Sequence, residues 1–105
     1  MIFISYSWAD TYFARVLERK LLDLGVRLWI DYKSIRSDQP IEHQIVHGIA
    51  CSYGVVFIDS IKARSSRWVR LERELAQHYR KPCIEWLVGS GQIESIPQGL
   101  ARLRV

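Results

Sequence analysis

The sequence predicts an α/β fold in which a five-stranded parallel sheet has helices on both faces. Short runs of β-branched and aromatic residues alternate along the chain with longer segments whose apolar residues recur at helical spacing. Strands separated by single helices pair in parallel, because each helix returns the chain to the same edge of the sheet. A chain of 105 residues has room for one such domain, and this one contains no internal repeat.

The first strand is predicted over Ile2 to Tyr6, a short β-branched and aromatic run. Ser7 followed by Asp10 matches the S-x-x-D pattern that begins many helices. The apolar residues of the helix that follows share a helical spacing: Phe13, Leu17, Leu21 and Leu24. Gly25 is expected to end this helix.

The middle of the chain continues the alternation. The second strand is predicted over 26–31 (VRLWID), and a polar loop over 32–39 follows it. Pro40 suits the first position of a second helix. One side of that helix carries three isoleucines, Ile41, Ile45 and Ile49. The third strand, over 53–58, is the most apolar of the chain.

The last part of the chain is predicted to hold one helix, over 66–80, and two strands, over 83–88 and 100–105. In parallel sheets of this kind, ligands bind beyond the carboxyl ends of the strands. The residues that follow the first three strands are therefore candidates for a site: Tyr6-Ser7-Trp8, Asp31-Tyr32 and Asp59-Ser60.

Composition excludes several classes of protein. A hydrophobic fraction of 49% with 25% charged residues is typical of a globular domain and not of a disordered or fibrous chain. The longest apolar runs, such as Gly54 to Ile58, are far shorter than the ~20 residues of a membrane helix. Two cysteines are too few for a disulfide scaffold. We therefore predict a cytoplasmic domain without a membrane partner or a secretion signal.

The net charge of +4 belongs to one segment of the chain. Residues 1–61 carry 6 basic and 7 acidic side chains, residues 62–81 carry 7 basic and 2 acidic ones, and residues 82–105 carry 2 of each. A local positive field favours an anionic partner, such as a nucleotide, a polyphosphate or an acidic protein surface. The alternative is that these charges form a solvated helix face.

One carboxylate falls on the apolar side of the predicted helix over 66–80. On a helical wheel, Glu72 lies inside the apolar arc, whereas Glu74 lies on the polar face. The residues three and four positions from Glu72 include no basic side chain: they are Trp68, Val69, Leu75 and Ala76. A buried carboxylate is costly unless it is paired. Glu72 therefore makes either a structural tertiary contact or a catalytic or ligand-binding one.

Several boxes along the chain resemble those of Toll/interleukin-1 receptor (TIR) domains. Phe3–Ser7 (FISYS) resembles the opening box of the family, and 28–31 (LWID) with 32–36 resembles its second strand and the start of its BB loop. The most specific box, Ser66–Glu72 (SRWVRLE), is similar to the W-V-x-x-E box of bacterial members. Lys81–Ile84 (KPCI) resembles the start of the fourth strand. The resemblance covers essentially the whole chain.

The resemblance implies a flavodoxin-like sheet and, as in many bacterial members, cleavage of NAD at the nicotinamide–ribose bond. The catalytic glutamate of the family falls on Glu72. We predict that NAD is the substrate, with no cofactor and no metal. The predicted substrate-binding residues are Tyr6, Ser7, Trp8, Asp31 and Trp68. For Tyr6 and Trp68, core packing is an equally good interpretation.

One carboxylate is enough for this chemistry. Most glycosidases need two carboxyl groups, because the leaving oxygen must be protonated. The nicotinamide of NAD is already cationic and leaves as a neutral molecule, so a single carboxylate can stabilise the positive charge that develops on the ribose. We expect Arg67 or Arg70 to contact the pyrophosphate.

Two features depart from the family pattern. The BB loop at Arg36–Pro40 (RSDQP) lacks the Pro-Gly or Gly-Asp pair that is common there. The chain also stops at its predicted fifth strand, so we expect a domain over 1–105 that lacks the closing helix, or one excised from a longer protein. The changed BB loop argues against the usual assembly surface of the family.

Two functions remain open. The first is an NAD glycohydrolase or ADP-ribose cyclase that is active when it self-assembles. The second is a non-enzymatic module that signals by binding other TIR domains. The predicted partners are NAD and other TIR domains, and no nucleic acid. The place of Glu72 on the apolar arc favours the enzyme, since a scaffold has no evident need of an acid there.

Overall fold

The computed structural model describes residues 1–34 and 36–88. Within them, four strands form a parallel sheet in the order β2-β1-β3-β4. The strands are β1 (Ile2–Ser5), β2 (Leu28–Trp29), β3 (Gly54–Asp59) and β4 (Cys83–Leu87). The parallel α/β class is thus confirmed, but the sheet of the described residues has four strands and not the predicted five. The fifth predicted strand, over 100–105, lies outside the described residues.

The helices connect these strands. They are α1 (Thr11–Asp23), α2 (Asp31–Ser34), α3 (Ile41–Ala50), α4 (Ile61–Arg64) and α5 (Arg67–His78). A one-turn 3-10 helix at Trp8–Asp10 precedes α1. Among the described residues, no helix combines the length and the apolar character needed to cross a membrane.

The start of the first helix differs from the prediction. Ser7 caps the 3-10 helix, where its Oγ accepts a hydrogen bond from the Ala9 amide at 3.3 Å. The carboxylate of Asp10 does not complete a capping box, because it accepts a hydrogen bond from the Ser60 hydroxyl. α1 therefore begins at Thr11, and it ends at the predicted place, where Gly25 adopts a φ of +77°.

The second strand is shorter than predicted. Only Leu28 and Trp29 pair with β1, although the pattern predicts a strand over 26–31. The amide of Ile30 is bonded to Ser34 Oγ at 3.0 Å instead of to a neighbouring strand. Asp31 then begins the short helix α2, so the chain leaves the sheet early. As a result, the carboxylate of Asp31 lies at the carboxyl edge of the sheet.

Strand alternation divides the core into two clusters, one on each face of the sheet. Ile2 and Ile4 of β1 pack on the face covered by α1. Phe3 lies on the opposite face, where it packs with buried residues of α3 and α5 and stacks on Trp29 at 4.5 Å between ring centroids. α3 approaches this stack closely, because a Cβ at Gly48 would lie 2.9 Å from the Trp29 ring. Ser5 follows Phe3 by two residues and therefore faces α5.

Candidate functional site

A cavity of about 400 Å³ lies at the carboxyl edge of the sheet. All six predicted site residues line it: Tyr6, Ser7, Trp8, Asp31, Trp68 and Glu72. Five further residues that the sequence analysis did not assign to the site also line it: Ile41, Ile45, Lys62, Ser65 and Ser66. The end of β1 and the beginnings of α2, α3 and α5 thus meet around one space, as expected at the carboxyl ends of parallel strands.

Glu72 is the buried acid of this cavity. Only 7% of its surface is exposed, because it shares the inward face of α5 with Val69 and Ala76. Its Oε1 accepts a hydrogen bond from Ser5 Oγ at 2.8 Å, and Ser5 is fully buried. Glu74, two residues later on the polar face of the same helix, is exposed. The structure therefore places Glu72 where the helical wheel predicts, with a hydroxyl partner from the neighbouring strand.

The environment of Glu72 favours its neutral form. Burial raises the pKa of Glu72 to about 8, and the negative charge of Asp31 contributes in the same direction. The hydrogen bond from Ser5 opposes both effects, since it stabilises the ionised carboxylate. At pH 7 the carboxyl group is therefore predominantly protonated. A cation placed beside it would lower this pKa and favour ionisation.

Asp31 is held by two aromatic side chains. The Tyr6 hydroxyl donates to Oδ1, and the Trp8 indole Nε1 donates to Oδ2 at 2.6 Å. Tyr6 is 6% exposed and packs in the core cluster on the α1 face, so it belongs both to the core and to the wall of the cavity. Trp8 is 74% exposed. The two donors orient the Asp31 carboxylate at the edge of the cavity.

Trp68 lies one helical turn before Glu72 and keeps 44% of its surface exposed. It is therefore only half-packed in the protein. It lines the same cavity as Glu72. The exposed part of its ring is available to a planar ligand, and aromatic side chains commonly stack on such groups.

The basic residues are not arranged as the sequence analysis expected. Neither Arg67 nor Arg70 lines the cavity of Glu72. Arg70 lines a separate cavity of about 240 Å³, with Asp59 and Arg73 among its neighbours. Among the described residues, the cation that lines the cavity of Glu72 is Lys62 on α4. The contact of Arg67 or Arg70 with the pyrophosphate therefore stays a prediction that the lining of this cavity does not support. Lys62 was not assigned to the site because four residues of helix are too few to reveal, by periodicity, which way its side chain is presented.

Ser5, the hydrogen-bond partner of Glu72, was also not assigned to the site by the sequence analysis. Strand alternation places it on the same face as Phe3, but a serine in an apolar strand is also common as a simple packing residue. Its role becomes visible only when α5 brings Glu72 over the sheet. Over residues 1–34 and 36–88, no three His, Cys, Asp or Glu side chains are grouped so that they could hold a metal ion.

Comparisons with known proteins agree with this architecture. The sequence profile of the TIR domain family matches residues 2–103. The fold is similar to that of the TIR domain of the Toll-related receptor TRR-2 from Hydra magnipapillata, with a TM-score of 0.78 and 14% identity over 97% of this chain and 78% of that one. A search of curated proteins finds no match. Because the profile covers nearly the whole sequence, the chain belongs to the TIR domain family.

Proposed function

We propose that this domain cleaves NAD at the bond between nicotinamide and ribose, with Glu72 as the catalytic residue. One observation carries the proposal: a buried carboxyl group, held by Ser5 at 2.8 Å, lines a cavity at the carboxyl edge of a parallel sheet. Buried acids with strongly shifted pKa values are frequent at catalytic sites. Among the described hydrogen bonds and salt bridges, none joins Glu72 to a basic side chain, so no described ion pair accounts for its burial.

The proposed reaction needs only one carboxylate. The bond between ribose C1′ and the nicotinamide nitrogen breaks, and its electron pair stays with nicotinamide, which leaves as a neutral molecule. Ionised Glu72 stabilises the positive charge that then develops on the ribose. Water adds at C1′ and loses a proton, which gives ADP-ribose. If a nitrogen of the adenine base attacks instead, the product is a cyclic ADP-ribose.

The substrate itself favours the active form of Glu72. With no cation beside it, this carboxyl group is predominantly neutral at pH 7, since its pKa is about 8. The cationic nicotinamide ring would lower that pKa when it lies beside Glu72. Binding of NAD therefore promotes ionisation, and the negative charge is present when the ribose becomes positive.

Asp31 and Trp68 are proposed to position the substrate. The Tyr6 hydroxyl and the Trp8 indole hold the Asp31 carboxylate at the edge of the cavity. Hydroxyl groups of a ribose are hydrogen-bond donors that match this acceptor. The half-exposed ring of Trp68 can stack on the nicotinamide or on the adenine base.

The test is consumption of NAD by the purified domain at high protein concentration. We expect Glu72→Gln to reduce turnover about 100-fold or more, as is typical when a group that stabilises transition-state charge is removed. Glu74→Gln is the matched control, because it removes an exposed carboxylate from the same helix, and its turnover should equal that of the wild type. Circular dichroism checks that both variants fold.

A second candidate is an interaction module that binds other TIR domains, with or without NAD cleavage. Three exposed hydrophobic side chains favour it: Trp8 at 74%, Tyr12 at 65% and Ile61 at 80%. They lie on adjoining elements, since Ser60 before α4 is bonded to Asp10 of the 3-10 helix. Large exposed apolar side chains are common at protein interfaces.

Light scattering over a range of protein concentrations separates these two functions. Ile61→Glu should reduce self-association if this surface is the contact, because it places a charge in an apolar interface. If NAD is consumed only by the associated form, assembly activates the enzyme. If the associated wild type consumes no NAD even at high concentration, the interaction module is the better description.

A further inference from the structure

We propose that Lys62 binds the phosphate groups of the substrate, so that the site selects phosphorylated nucleotides over the corresponding nucleosides. This inference rests on the proposed function and adds a residue that determines specificity. It comes from the charges at the cavity, from the other contacts of the basic segment and from the way in which α4 is anchored.

The cavity has an acidic part and one described cation. Glu72 and Asp31 are its carboxyl groups, and Lys62 is the single Lys or Arg among the described residues that line it. Lys62 is exposed, and its ammonium group has no hydrogen-bond or ion-pair partner among the described residues. NAD has matching chemistry, because its nicotinamide end is cationic and its centre is a pyrophosphate. The nicotinamide end then lies near Glu72, and the pyrophosphate near Lys62.

Two other cations of the basic segment, Arg64 and Arg73, have partners outside the cavity. Arg64 is bonded to Asp59 at 3.1 Å. Arg73 pairs with Glu85 and lies 4.2 Å from the centre of the Phe57 ring. Lys62 differs from Arg64 and Arg73, because its ammonium group forms no described ion pair.

α4 is anchored so that Lys62 has a defined position. Ser60 caps the helix by accepting a hydrogen bond from the Ala63 amide at 3.0 Å, and its hydroxyl donates to the buried Asp10. Ala63 is itself buried in the core cluster on the α5 face. Lys62 lies between these two anchored residues. Its backbone therefore needs little reorganisation when the ammonium group binds an anion.

The test compares Lys62→Met with the wild type on two substrates, NAD and nicotinamide riboside. Nicotinamide riboside contains the same scissile bond but no phosphate. For NAD, we expect KM to rise roughly ten- to hundredfold with kcat little changed, which is the range for loss of one charge-assisted contact. For nicotinamide riboside, KM should not change. Lys62→Arg should retain a KM close to that of the wild type, because it keeps the positive charge.

Lys20→Met is the matched control, since it removes a lysine from α1, on the other face of the sheet. It should leave the KM for NAD unchanged. An equal effect of Lys20→Met and Lys62→Met would assign the change to the overall field of the protein and would overturn the proposal. An equal effect of Lys62→Met on both substrates would also overturn it.

Calorimetric binding of ADP-ribose separates this inference from the proposed function. Binding requires no cleavage, so it can be measured in an inactive protein or in Glu72→Gln. We expect Lys62→Met to weaken binding by the same roughly ten- to hundredfold factor, with less dependence on salt than in the wild type. If ADP-ribose binds equally well to both proteins, or does not bind to the wild type, the role of Lys62 is refuted whether or not NAD is cleaved.

Discussion

The polar residues at the amino ends of the strands, here called the amino edge of the sheet, bond to other groups of the protein. Those at the carboxyl ends, the carboxyl edge, surround a cavity. At the amino edge, Lys81 Nζ donates to the carbonyl of Ala50 at 2.9 Å, and the amide of Tyr53 donates to the carbonyl of Met1 at 2.8 Å. At the carboxyl edge, the ammonium group of Lys62 has no described partner, and Glu72 is buried beside a cavity. The amino edge thus satisfies its polar groups within the protein. The carboxyl edge leaves some of them available to a ligand, at a cost in stability.

The largest expected effect concerns stability and pH. The pKa of Glu72 is about 8 in the folded protein, and its ordinary value of 4.5 applies to the unfolded chain. Between these values the folded state holds a proton that the unfolded state has released, so the stabilising contribution of the neutral acid is lost as pH rises. We expect the free energy of unfolding to fall by up to about 1.4 kcal/mol per pH unit between pH 5 and pH 8.

Urea denaturation at pH 5, 6.5 and 8 measures this slope, and Glu72→Gln should remove most of it. Subtracting the slope of the variant from that of the wild type removes the contribution of the histidines, because both proteins contain them. A variant with the same slope as the wild type would contradict the assigned protonation of Glu72.

The next effect is on the pH dependence of catalysis. If ionised Glu72 is the active form, kcat/KM for NAD should rise about tenfold per pH unit below pH 8 and level off above it. The quantity kcat should depend on pH less steeply, because bound NAD lowers the pKa of Glu72. Initial rates between pH 6 and pH 9.5 test this, and a profile that falls over that range would contradict it.

Ser5→Ala should have a smaller effect on both properties. It leaves Glu72 without its described hydrogen-bond donor, which should cost about 1–3 kcal/mol of stability. It should also move the midpoint of the kcat/KM profile to higher pH, since the bond from Ser5 lowers the pKa of Glu72. A purely structural serine would change the stability and leave that midpoint in place.

The smallest effect is expected at the amino edge. Lys81→Met removes the bond to the carbonyl of Ala50, at the carboxyl end of α3, and should cost about 1 kcal/mol of stability. The binding of ADP-ribose should not change, in contrast to Lys62→Met. Thermal unfolding measures the loss of stability, and calorimetry measures the binding of ADP-ribose. A loss of binding in Lys81→Met would contradict the proposed difference between the two edges.

Features that depend on a repeating pattern within one element, or on the order of strands and helices, could be predicted from the sequence. The helical period over α5 is strong enough to place Glu72 on the buried face, and the parallel topology brings the ends of the first two strands to one edge. These two facts place Tyr6, Ser7, Trp8 and Asp31 at one edge of the sheet and Glu72 on the buried face of α5, whereas the grouping of all six residues in one site rests on the resemblance to TIR domains.

Contacts between elements could not be predicted in this way. The bond from Ser5 to Glu72 joins residues 67 positions apart, so no local pattern contains it. The place of Lys62 depends on the link between Ser60 and Asp10, which are 50 positions apart. The short second strand likewise depends on the Ser34 hydroxyl, which takes the amide of Ile30 away from the sheet.

The four tryptophans make the protein its own spectroscopic probe. Trp8 and Trp68 line the cavity and are 74% and 44% exposed, whereas Trp29 and Trp86 are 8% and 4% exposed and lie in different core clusters. A ligand in the cavity should therefore shield the first pair from a soluble quencher such as acrylamide and leave the emission of the second pair unchanged. Unfolding should instead expose the second pair, so one fluorescence experiment can distinguish an occupied cavity from a loosened core.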